Sequence, residues 1–408
     1  MVNQARGGSL DAQAALTGLV LVIAWGGLHL ALRRLVPRAV PYLLPLAALI
    51  CAVGLVEIYR LDFHQATLQR WWLLVASGLA LLVSLGLRSN GTAVLRRYRY
   101  LFLTAALILL AAPLLPSTLP LRGVELNGSR LWLRLHLFGR DLVQFQPGEI
   151  AKLLLVIFLA GYLSDRQPEL LSSAKSWGRL RLPQPRQLLP VALAWLASMG
   201  VMVYQRDLGA SLLLFTVFLL LLYVASGRAA HLALGGLLFM GGTLAAYQMF
   251  GHAAARIDAW LDPWSDFEGS GYQLAQSLFA LGSGSLSGSG LGLGRPDLIP
   301  VASTDFIFSA VAEEIGLAGA IGIVVSYALL VAAGIGIALR ARDPFRKLLA
   351  TGLSLVIGVQ SLLILGGVTR LLPVTGISLP WMSYGGSALV ANMVLLVLLA
   401  RLSHEEAR

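Results

Sequence analysis

Charged residues are scarce in this sequence, and cysteine, lysine and the common metal-binding motifs are nearly or wholly absent. Only 12% of the 408 residues are charged, whereas 57% are hydrophobic. A soluble domain with this balance would have to bury more apolar surface than its volume allows. The composition therefore excludes an ordinary soluble globular protein and indicates an integral membrane protein.

Three absences exclude the commoner kinds of site. The single cysteine, Cys51, lies inside an apolar run, so the chain can form no internal disulfide. The glycine-rich run at 282–294 does not end in Gly-Lys-Ser/Thr, which a phosphate-binding P-loop requires. The histidines do not cluster at metal-ligand spacings, and no Gly-x-Ser-x-Gly nucleophile turn occurs. Carboxylates and arginines are therefore the candidates for any chemistry.

The excess of basic residues does not indicate nucleic-acid binding. The formal net charge is +11, and the only lysines are Lys152, Lys175 and Lys347, the other basic residues being arginine. A nucleic-acid interface would need a basic face with interleaved aromatic residues on a soluble module, and the sequence has none. We attribute the charge to orientation in the membrane and to attraction by anionic lipid headgroups.

Apolar runs of about 20 residues recur along the whole chain, and each can cross a bilayer as a helix. They predict an all-α polytopic membrane protein with about eleven spans. The ninth run is too long for one crossing, so we expect it to project beyond the bilayer or to break near Gly316–Gly319. The predicted spans are 13–32, 41–59, 71–87, 99–115, 149–164, 188–204, 209–226, 231–250, 306–338, 346–369 and 385–401.

Alternate loops differ in their content of arginine and lysine, which predicts the orientation in the membrane. We place the more basic set in the cytoplasm together with the C-terminus, and the N-terminus outside. The large loops 116–148 and 251–305 and the shorter loop 370–384 then lie on the extracytoplasmic side. We expect the chemistry in these three loops.

The stretch from Gly282 to Glu314 contains the strongest catalytic candidate. A glycine- and serine-rich loop leads to Asp305 at the start of an apolar helix that carries Glu313. Carboxylates at membrane depth are functional candidates because charge near hydrocarbon is costly. On an ideal helix, Glu313 lies about two turns below Asp305 on a nearby face. The alternative is that Asp305 only caps a helix beginning at Phe306.

Polar residues inside the predicted spans form a second candidate group. Glu149 and Lys152 are three residues apart at the start of the fifth span, so they can pair on one helix face. Such a pair could fix helix packing alone, or it could form a wall of a polar cavity. Asp207 is a candidate partner for Lys152 or Arg206, because intramembrane charges pair rather than stay single.

The first outer loop combines a turn signal with a short amphipathic element. Asn127-Gly128 predicts a tight turn. The alternation of polar and apolar residues from Arg130 to Leu137 predicts an amphipathic element lying on the membrane, where Trp132 suits an interfacial position.

Together these segments resemble the SEDS family, the shape, elongation, division and sporulation proteins, which are polytopic peptidoglycan polymerases. The resemblance covers roughly residues 120–395 in family order, and it rests on the combination of motifs. The motifs are NGSRLW, FQPGEIAK, QRDLGASLL, GYQLAQSLFALGSGSLSGSGLG, STDFIFSAVAEEIGLAG and PVTGISLPWMSYGGSALV.

The resemblance implies an enzyme that polymerises lipid II into glycan strands at the outer face of the bacterial cytoplasmic membrane. It implies lipid II, undecaprenyl-linked glycan and a class B penicillin-binding protein as partners, and no nucleic acid. It also implies a divalent cation, Mg²⁺ or Mn²⁺, which Asp297 or Glu313 could help to hold because hard cations take oxygen ligands. The ten helices usual in the family would occupy residues 38–408, and residues 1–37 would form an extra N-terminal transmembrane helix. Elongation, division and sporulation remain alternative roles.

The resemblance also implies roles for individual residues of the site. Asp305 matches the family's catalytic aspartate, and Asp297 matches an acidic position eight residues before it. The chain departs from the family pattern at Ser303, where histidine is usual, and at Val301, where glutamate is usual. We also expect intramembrane polar roles for the matching residues Glu149, Lys152 and Asp207.

The expected reaction is glycosyl transfer with a lipid diphosphate as leaving group. Asp305 would act as the general base, and cationic groups would stabilise the departing diphosphate. The expected substrate-binding residues are Arg130, Trp132, Arg134, Arg256, Asp297, Ser303, Thr304 and Ser383, and the expected polar-cavity residues are Glu149, Lys152, Asp207 and Glu313.

Two other classes of function use the same features. A flippase of lipid-linked precursors would share the spans and the outer loops, but such transporters typically contain paired repeats with broken helices. We find no convincing internal repeat in the sequence. A non-catalytic scaffold for a cell-wall complex would leave Asp305 without a purpose.

Overall fold

The computed structural model describes residues 12–407, except 117–118, 127–128, 138–139, 173, 178–179 and 184. The chain is mainly helical, and nine of the described helices are long and apolar enough to cross a membrane. The predicted class of a helical, polytopic membrane protein is thus confirmed. The predicted Asn127-Gly128 turn lies outside the described residues.

The predicted number of spans is not confirmed. Besides the nine long helices, two shorter apolar helical segments, Arg99–Leu114 and Ala192–Tyr204, lie within the described residues. They fall at the predicted spans 99–115 and 188–204. A span needs about 20 residues if it crosses the hydrocarbon core without help from neighbours, so length alone does not make these two segments crossings.

Five described helices precede the first sheet. The first contains a π-helical turn at Val22–Gly26, and Arg33 and Arg34 lie in its last turn, where positive charge complements the helix dipole. In chain order they are α1 Ala12–Leu35, α2 Leu43–Leu61, α3 Phe63–Asn90, α4 Ala93–Arg97 and α5 Arg99–Ala111.

Nine helices follow in the described part of the chain. Two of them, α10 and α11, lie in the segment 251–305, which the sequence analysis treated as a loop. The bounds are α6 Pro147–Ser172, α7 Pro185–Tyr204, α8 Leu208–Ser226, α9 Ala230–Met249, α10 Gly251–Leu261, α11 Tyr272–Ser283, α12 Ile307–Arg340, α13 Pro344–Val368 and α14 Gly386–Glu406.

Short antiparallel strands lie in two of the connections. Strands β1 Leu121–Leu126, β2 Ser129–Leu137 and β3 Arg140–Phe145 form a sheet in that order. Strands β4 Ala174–Trp177 and β5 Leu180–Pro183 form a separate pair. The alternating element that the sequence predicted at 130–137 is the central strand β2, because alternation places successive side chains on opposite faces of a sheet.

The chain divides into two compact units. The first contains the residues up to Leu85, Ala245–Ala333 and Ile357–Ala400, and the second contains Gly86–Leu244, Gly334–Val356 and the residues from Arg401 onwards. In the second unit a buried apolar cluster joins α5, α6, α7 and α8. Its members are Ala106, Leu110, Ala151, Leu155, Met202, Ala210 and Leu214.

In the first unit α12 breaks at Gly316, which is one of the two alternatives that the sequence left open. Gly316 has φ +69° and ψ −176°, a left-handed φ that favours glycine. The glycine-rich loop packs into this break, because Ser289 N and Gly290 N donate to the carbonyls of Glu313 and Glu314. In return Leu317 N donates to Ser285 O. The loop therefore satisfies backbone groups that the broken helix leaves open.

Candidate active site

Asp305 lies in the turn between the glycine-rich loop and α12. The helix begins at Ile307, so Phe306 and not Asp305 occupies the position before it. Asp305 is half-buried and lines an open cavity of about 110 Å³. A cavity of this size admits only part of a large substrate.

The cavity joins parts of the first unit that are far apart in the sequence. α10 contributes Arg256, α11 contributes Gln273 at its first turn, and the segment after α13 contributes Gly376. Arg256 and Gln273 are exposed, so both side chains are available to a ligand. The full lining is Ala255, Arg256, Ala259, Ser270, Gln273, Leu274, Asp305, Phe306, Val374 and Gly376.

Electrostatics suit Asp305 to proton transfer. Burial raises the pKa of Asp305 from 3.8 to about 6, while a hydrogen bond with Thr304 and the positive charge of Arg256 act in the opposite direction. A carboxylate with a pKa near the working pH is both mostly deprotonated and a stronger base than an ordinary aspartate. The cavity thus holds one basic carboxylate beside one guanidinium.

Hydrogen bonds fasten the turn that carries Asp305. Ser383 Oγ donates to Thr304 O over 2.6 Å, and Tyr384 N donates to Ser303 O over 2.8 Å. Ser303 Oγ donates to Gln65 Oε1 over 2.7 Å. Ser303 and Ser383 are both buried, so this geometry favours a positioning role for them. Their role in substrate binding stays a prediction, as does that of the half-buried Thr304.

The two carboxylates that we considered as helpers for a cation point elsewhere. Asp297 is exposed and lies 3.5 Å from Arg295 Nε. Glu313 is buried, and its Oε1 accepts a hydrogen bond from Arg295 N over 2.8 Å. Neither lines the Asp305 cavity. The described residues contain no group of three or more histidine, cysteine, aspartate or glutamate side chains that could hold a metal ion.

These residues therefore do not fit a cation held by the protein alone. Hard divalent cations take several oxygen ligands, whereas the cavity supplies one carboxylate with a guanidinium close by. The cation that the family resemblance implies stays a prediction.

A buried ionic cluster that the sequence analysis missed supports the glycine-rich loop. Arg60 Nη1 lies 2.6 Å from Glu314 Oε1 and 3.3 Å from Glu57 Oε1, and all three side chains are at most 4% exposed. Arg60 Nη2 donates to Gly294 O, and Gly292 N donates to Glu314 Oε1. The sequence did contain a signal for this cluster, because Glu57 and Arg60 stand three residues apart inside an apolar span.

In the second unit the predicted pair in α6 is formed. Lys152 Nζ donates to Glu149 Oε1 over 2.9 Å, and both side chains are buried. The Asp207 carboxylate accepts a hydrogen bond from Ala210 N over 2.9 Å and so caps α8. The cavity role that we predicted for these residues stays a prediction.

The predicted residues of the first outer loop lie on the three-stranded sheet of the second unit. Arg130, Trp132 and Arg134 lie on β2. Trp132 and Arg134 share one face, whereas a register shift against β1 falls between Ser129 and Trp132, beside Arg130. Arg134 contacts Asp141 over 3.0 Å and Gln144 over 2.9 Å. A hydrogen bond from His136, together with nearby arginines, lowers the pKa of Asp141. Arg134 is thus already paired, and substrate binding by this face stays a prediction.

Known proteins resemble the chain over nearly its full length. The family described as cell cycle proteins, FtsW/RodA/SpoVE, matches residues 41–408. The peptidoglycan glycosyltransferase RodA of Mycobacterium tuberculosis is 44% identical over 96% of this chain and 83% of its own length. The stage V sporulation protein E of Bacillus subtilis is 33% identical over 76% of this chain and 79% of its own.

Solved structures share the fold. The rod shape determining protein RodA of Thermus thermophilus superimposes with a TM-score of 0.61 and 29% identity, over 91% of this chain and 98% of that one. A second match is a chain from a peptidoglycan synthase complex, described under the structural coordination of polymerization and crosslinking. It superimposes with a TM-score of 0.69 and 28% identity, over 91% of this chain and 99% of that one. Both comparisons support the helical architecture described above.

Proposed function

The chain belongs to the FtsW/RodA/SpoVE family, and from this premise we propose that it polymerises lipid II into glycan strands. One observation carries the proposal: a half-buried Asp305 with a raised pKa and an exposed Arg256 line the same open cavity. The relatives above are named as peptidoglycan glycosyltransferases and as cell-shape and sporulation proteins, and these names support the same class of reaction.

In the proposed step, the oxygen of an acceptor sugar hydroxyl attacks the anomeric carbon of a lipid-linked sugar. Asp305 takes the hydroxyl proton as the new carbon–oxygen bond forms. The bond between the anomeric carbon and the lipid diphosphate breaks, and the diphosphate leaves with the electron pair. Proton transfer to a positioned base contributes roughly 10²–10⁴-fold to such a step.

Arg256 is suited to the departing diphosphate. Its guanidinium is exposed at the cavity and offers several N–H donors in a rigid fork, which matches phosphate oxygens. A donor aimed at developing negative charge stabilises the transition state more than the ground state. We therefore assign Arg256 to the diphosphate and Asp305 to the acceptor hydroxyl.

The raised pKa of Asp305 predicts an acid limb in the rate of polymerisation. The base must be deprotonated, so kcat/KM should fall tenfold per pH unit below a midpoint near pH 6. The effect of Asp305 on the stability of the fold has the opposite dependence on pH. The folded chain holds the proton more tightly than the unfolded chain, so this contribution is lost as pH rises through about 6.

Protonation of Asp305 at low pH favours the folded chain, so this group does not cause unfolding there. A loss of activity at low pH is then due to protonation of the base. The measurement is kcat/KM for lipid II between pH 4.5 and 8, with folded protein monitored in parallel. A rate that stays flat down to the pKa of an ordinary aspartate would remove Asp305 from the role of the base.

We propose that the Asp305 cavity faces outside and that the C-terminus is cytoplasmic, which the distribution of basic residues supports. In a Cys51→Ser background, a single cysteine at position 266 should react with a membrane-impermeant reagent in intact cells. A cysteine at position 175 should react only after the cells are opened. Labelling at 175 but not at 266 in intact cells would reverse the orientation.

We further propose a class B penicillin-binding protein as partner and α1 as an addition to the family core. The partner is supported by the resemblance to a chain of a complex that couples polymerization and crosslinking. The family match begins at residue 41, after α1, which supports residues 1–37 as an extra element and 38–408 as the catalytic domain.

The test of the function is the formation of glycan polymer from lipid II by the purified protein, with and without a partner transpeptidase. Polymer that depends on this chain supports the proposal. Movement of lipid II across vesicles without polymer would favour the flippase instead, and the absence of both activities would favour a scaffold.

A further inference from the structure

The segment Arg370–Gly376, which follows α13, is fastened to α10 at its beginning. Arg370 Nε donates to Trp260 O over 3.0 Å, and its Nη2 donates to Leu261 O. Trp260 Nε1 donates back to Arg370 O over 3.2 Å. Arg370 thus places a positive charge on carbonyls at the C-terminal end of α10, which have no partner inside the helix.

The same segment contacts α10 again at its other end. Arg256 stands four residues before Trp260, about one helical turn away, and its Nη1 donates to Thr375 O over 3.0 Å. The neighbouring Gly376 has φ +72°, which favours glycine. A Cβ at Gly376 would lie 3.0 Å from Arg256 Nη2 and 3.6 Å from Cζ. The guanidinium therefore lies directly against the glycine backbone.

We propose that Arg370–Gly376 is a positioning segment for Arg256, and that Gly376 is the residue that allows the guanidinium its place beside Asp305. This inference rests on the proposed function, since it assigns the held guanidinium to the diphosphate of the lipid-linked sugar. One carbonyl fixes Nη1, so the remaining N–H groups point in set directions before the substrate arrives. Such preorganisation lowers the cost of binding and of charge stabilisation.

The absence of a side chain at position 376 is essential to this arrangement for two reasons. Any Cβ would strain a left-handed backbone, and it would also press on the guanidinium at a distance tighter than normal contact. The first effect would disturb the segment alone, whereas the second would displace Arg256. The guanidinium would have to move by a few tenths of an ångström. Because a misplacement of about 1 Å can reduce a rate by about 10²-fold, this smaller shift should reduce it by up to about 10-fold.

The test is Gly376→Ala in the full-length protein, measured on polymerisation of lipid II. We expect kcat/KM to fall by up to about 10-fold, mainly through kcat, because Arg256 stabilises the departing diphosphate more in the transition state than in the bound substrate. Gly385→Ala is the matched control in the same loop. Gly385 has no left-handed φ, and its Cβ would only approach Ala388 Cβ at 3.6 Å. This control should keep near-normal kinetics.

A double-mutant cycle separates positioning from a merely structural role. In an Arg256→Ala background, Gly376→Ala should cause little further loss, because residues that act through one another are not additive. The midpoint of the acid limb should also rise in Gly376→Ala, since the charge of Arg256 lowers the pKa of Asp305. Losses that multiply in the double variant, with an unmoved midpoint, would overturn the inference.

A second variant keeps the test decisive if Gly376→Ala folds poorly. Arg370→Gln loosens the other end of the segment without touching the cavity, and it should show the same fall in kcat and the same non-additivity with Arg256→Ala. Wild-type kinetics in Arg370→Gln would contradict the positioning role of the segment. If the wild-type chain itself makes no polymer, the proposed function fails. If it makes polymer and the cycles are additive, only this inference fails.

Discussion

Replacing Asp305 with asparagine should slow glycan polymerisation by about 10² or more, with the yield of folded protein near that of the wild type. Asparagine keeps the size and most of the hydrogen bonding of the side chain but cannot accept the proton. The loss should fall on kcat, because the acceptor hydroxyl is deprotonated only in the transition state. The measurement is steady-state polymerisation of lipid II by purified protein.

Two comparisons separate a base from a helix cap. Asp305→Glu should recover little, because proton transfer depends on geometry at the level of about 1 Å. A cap would behave differently, since asparagine caps helices about as well as aspartate. The start of α12 at Ile307 already places Asp305 one position too early for the usual cap. Near-normal polymerisation by Asp305→Asn would end the assignment.

Replacing Arg60 with methionine should destabilise the folded chain by about 3–5 kcal/mol. The substitution would leave the buried carboxylates of Glu57 and Glu314 without their shared cation. It would also remove the hydrogen bond to Gly294 O, which ties α2 to the glycine-rich loop. The measurement is the shift of the unfolding transition in detergent, together with the yield of folded protein.

The ion cluster offers both a rescue and a control. Adding Glu57→Gln and Glu314→Gln to Arg60→Met should recover part of the loss, because the unpaired buried charges disappear. Arg295→Met is the matched surface control, since Arg295 pairs with Asp297 while both side chains are more than 60% exposed. It should change stability by less than about 1 kcal/mol. Equal losses of stability in the single and triple variants would contradict the stabilising role of the ionic cluster.

Short-range patterns carried most of what the sequence could predict. Long apolar runs predict helices that span a membrane because both their length and their composition match a bilayer. The spacing of Glu149 and Lys152 predicts their pair because helical neighbours three apart share a face. The length of the ninth run predicted either projection beyond the bilayer or a break near Gly316–Gly319, and the break lies at Gly316, where glycine tolerates the left-handed backbone.

Contacts between distant segments could not be predicted in this way. Arg256 meets Thr375, and Arg60 meets Glu314, only because the chain returns to the same place in the first unit. Periodicity reports which face of an element is apolar, but it does not report which element lies opposite. The strands around β2 show a similar limit, because alternation identified the element at 130–137 and not its antiparallel partners.

The most direct test of the central claim counts both products of the reaction in wild-type protein and in Asp305→Asn. Purified protein would be supplied with lipid II, and glycosidic bonds and released lipid diphosphate would be measured together. The account predicts one lipid diphosphate released for each bond formed by the wild type, and at least about a 10²-fold loss of both in Asp305→Asn. Equal rates in the two proteins, or lipid II consumed without release of diphosphate, would contradict it.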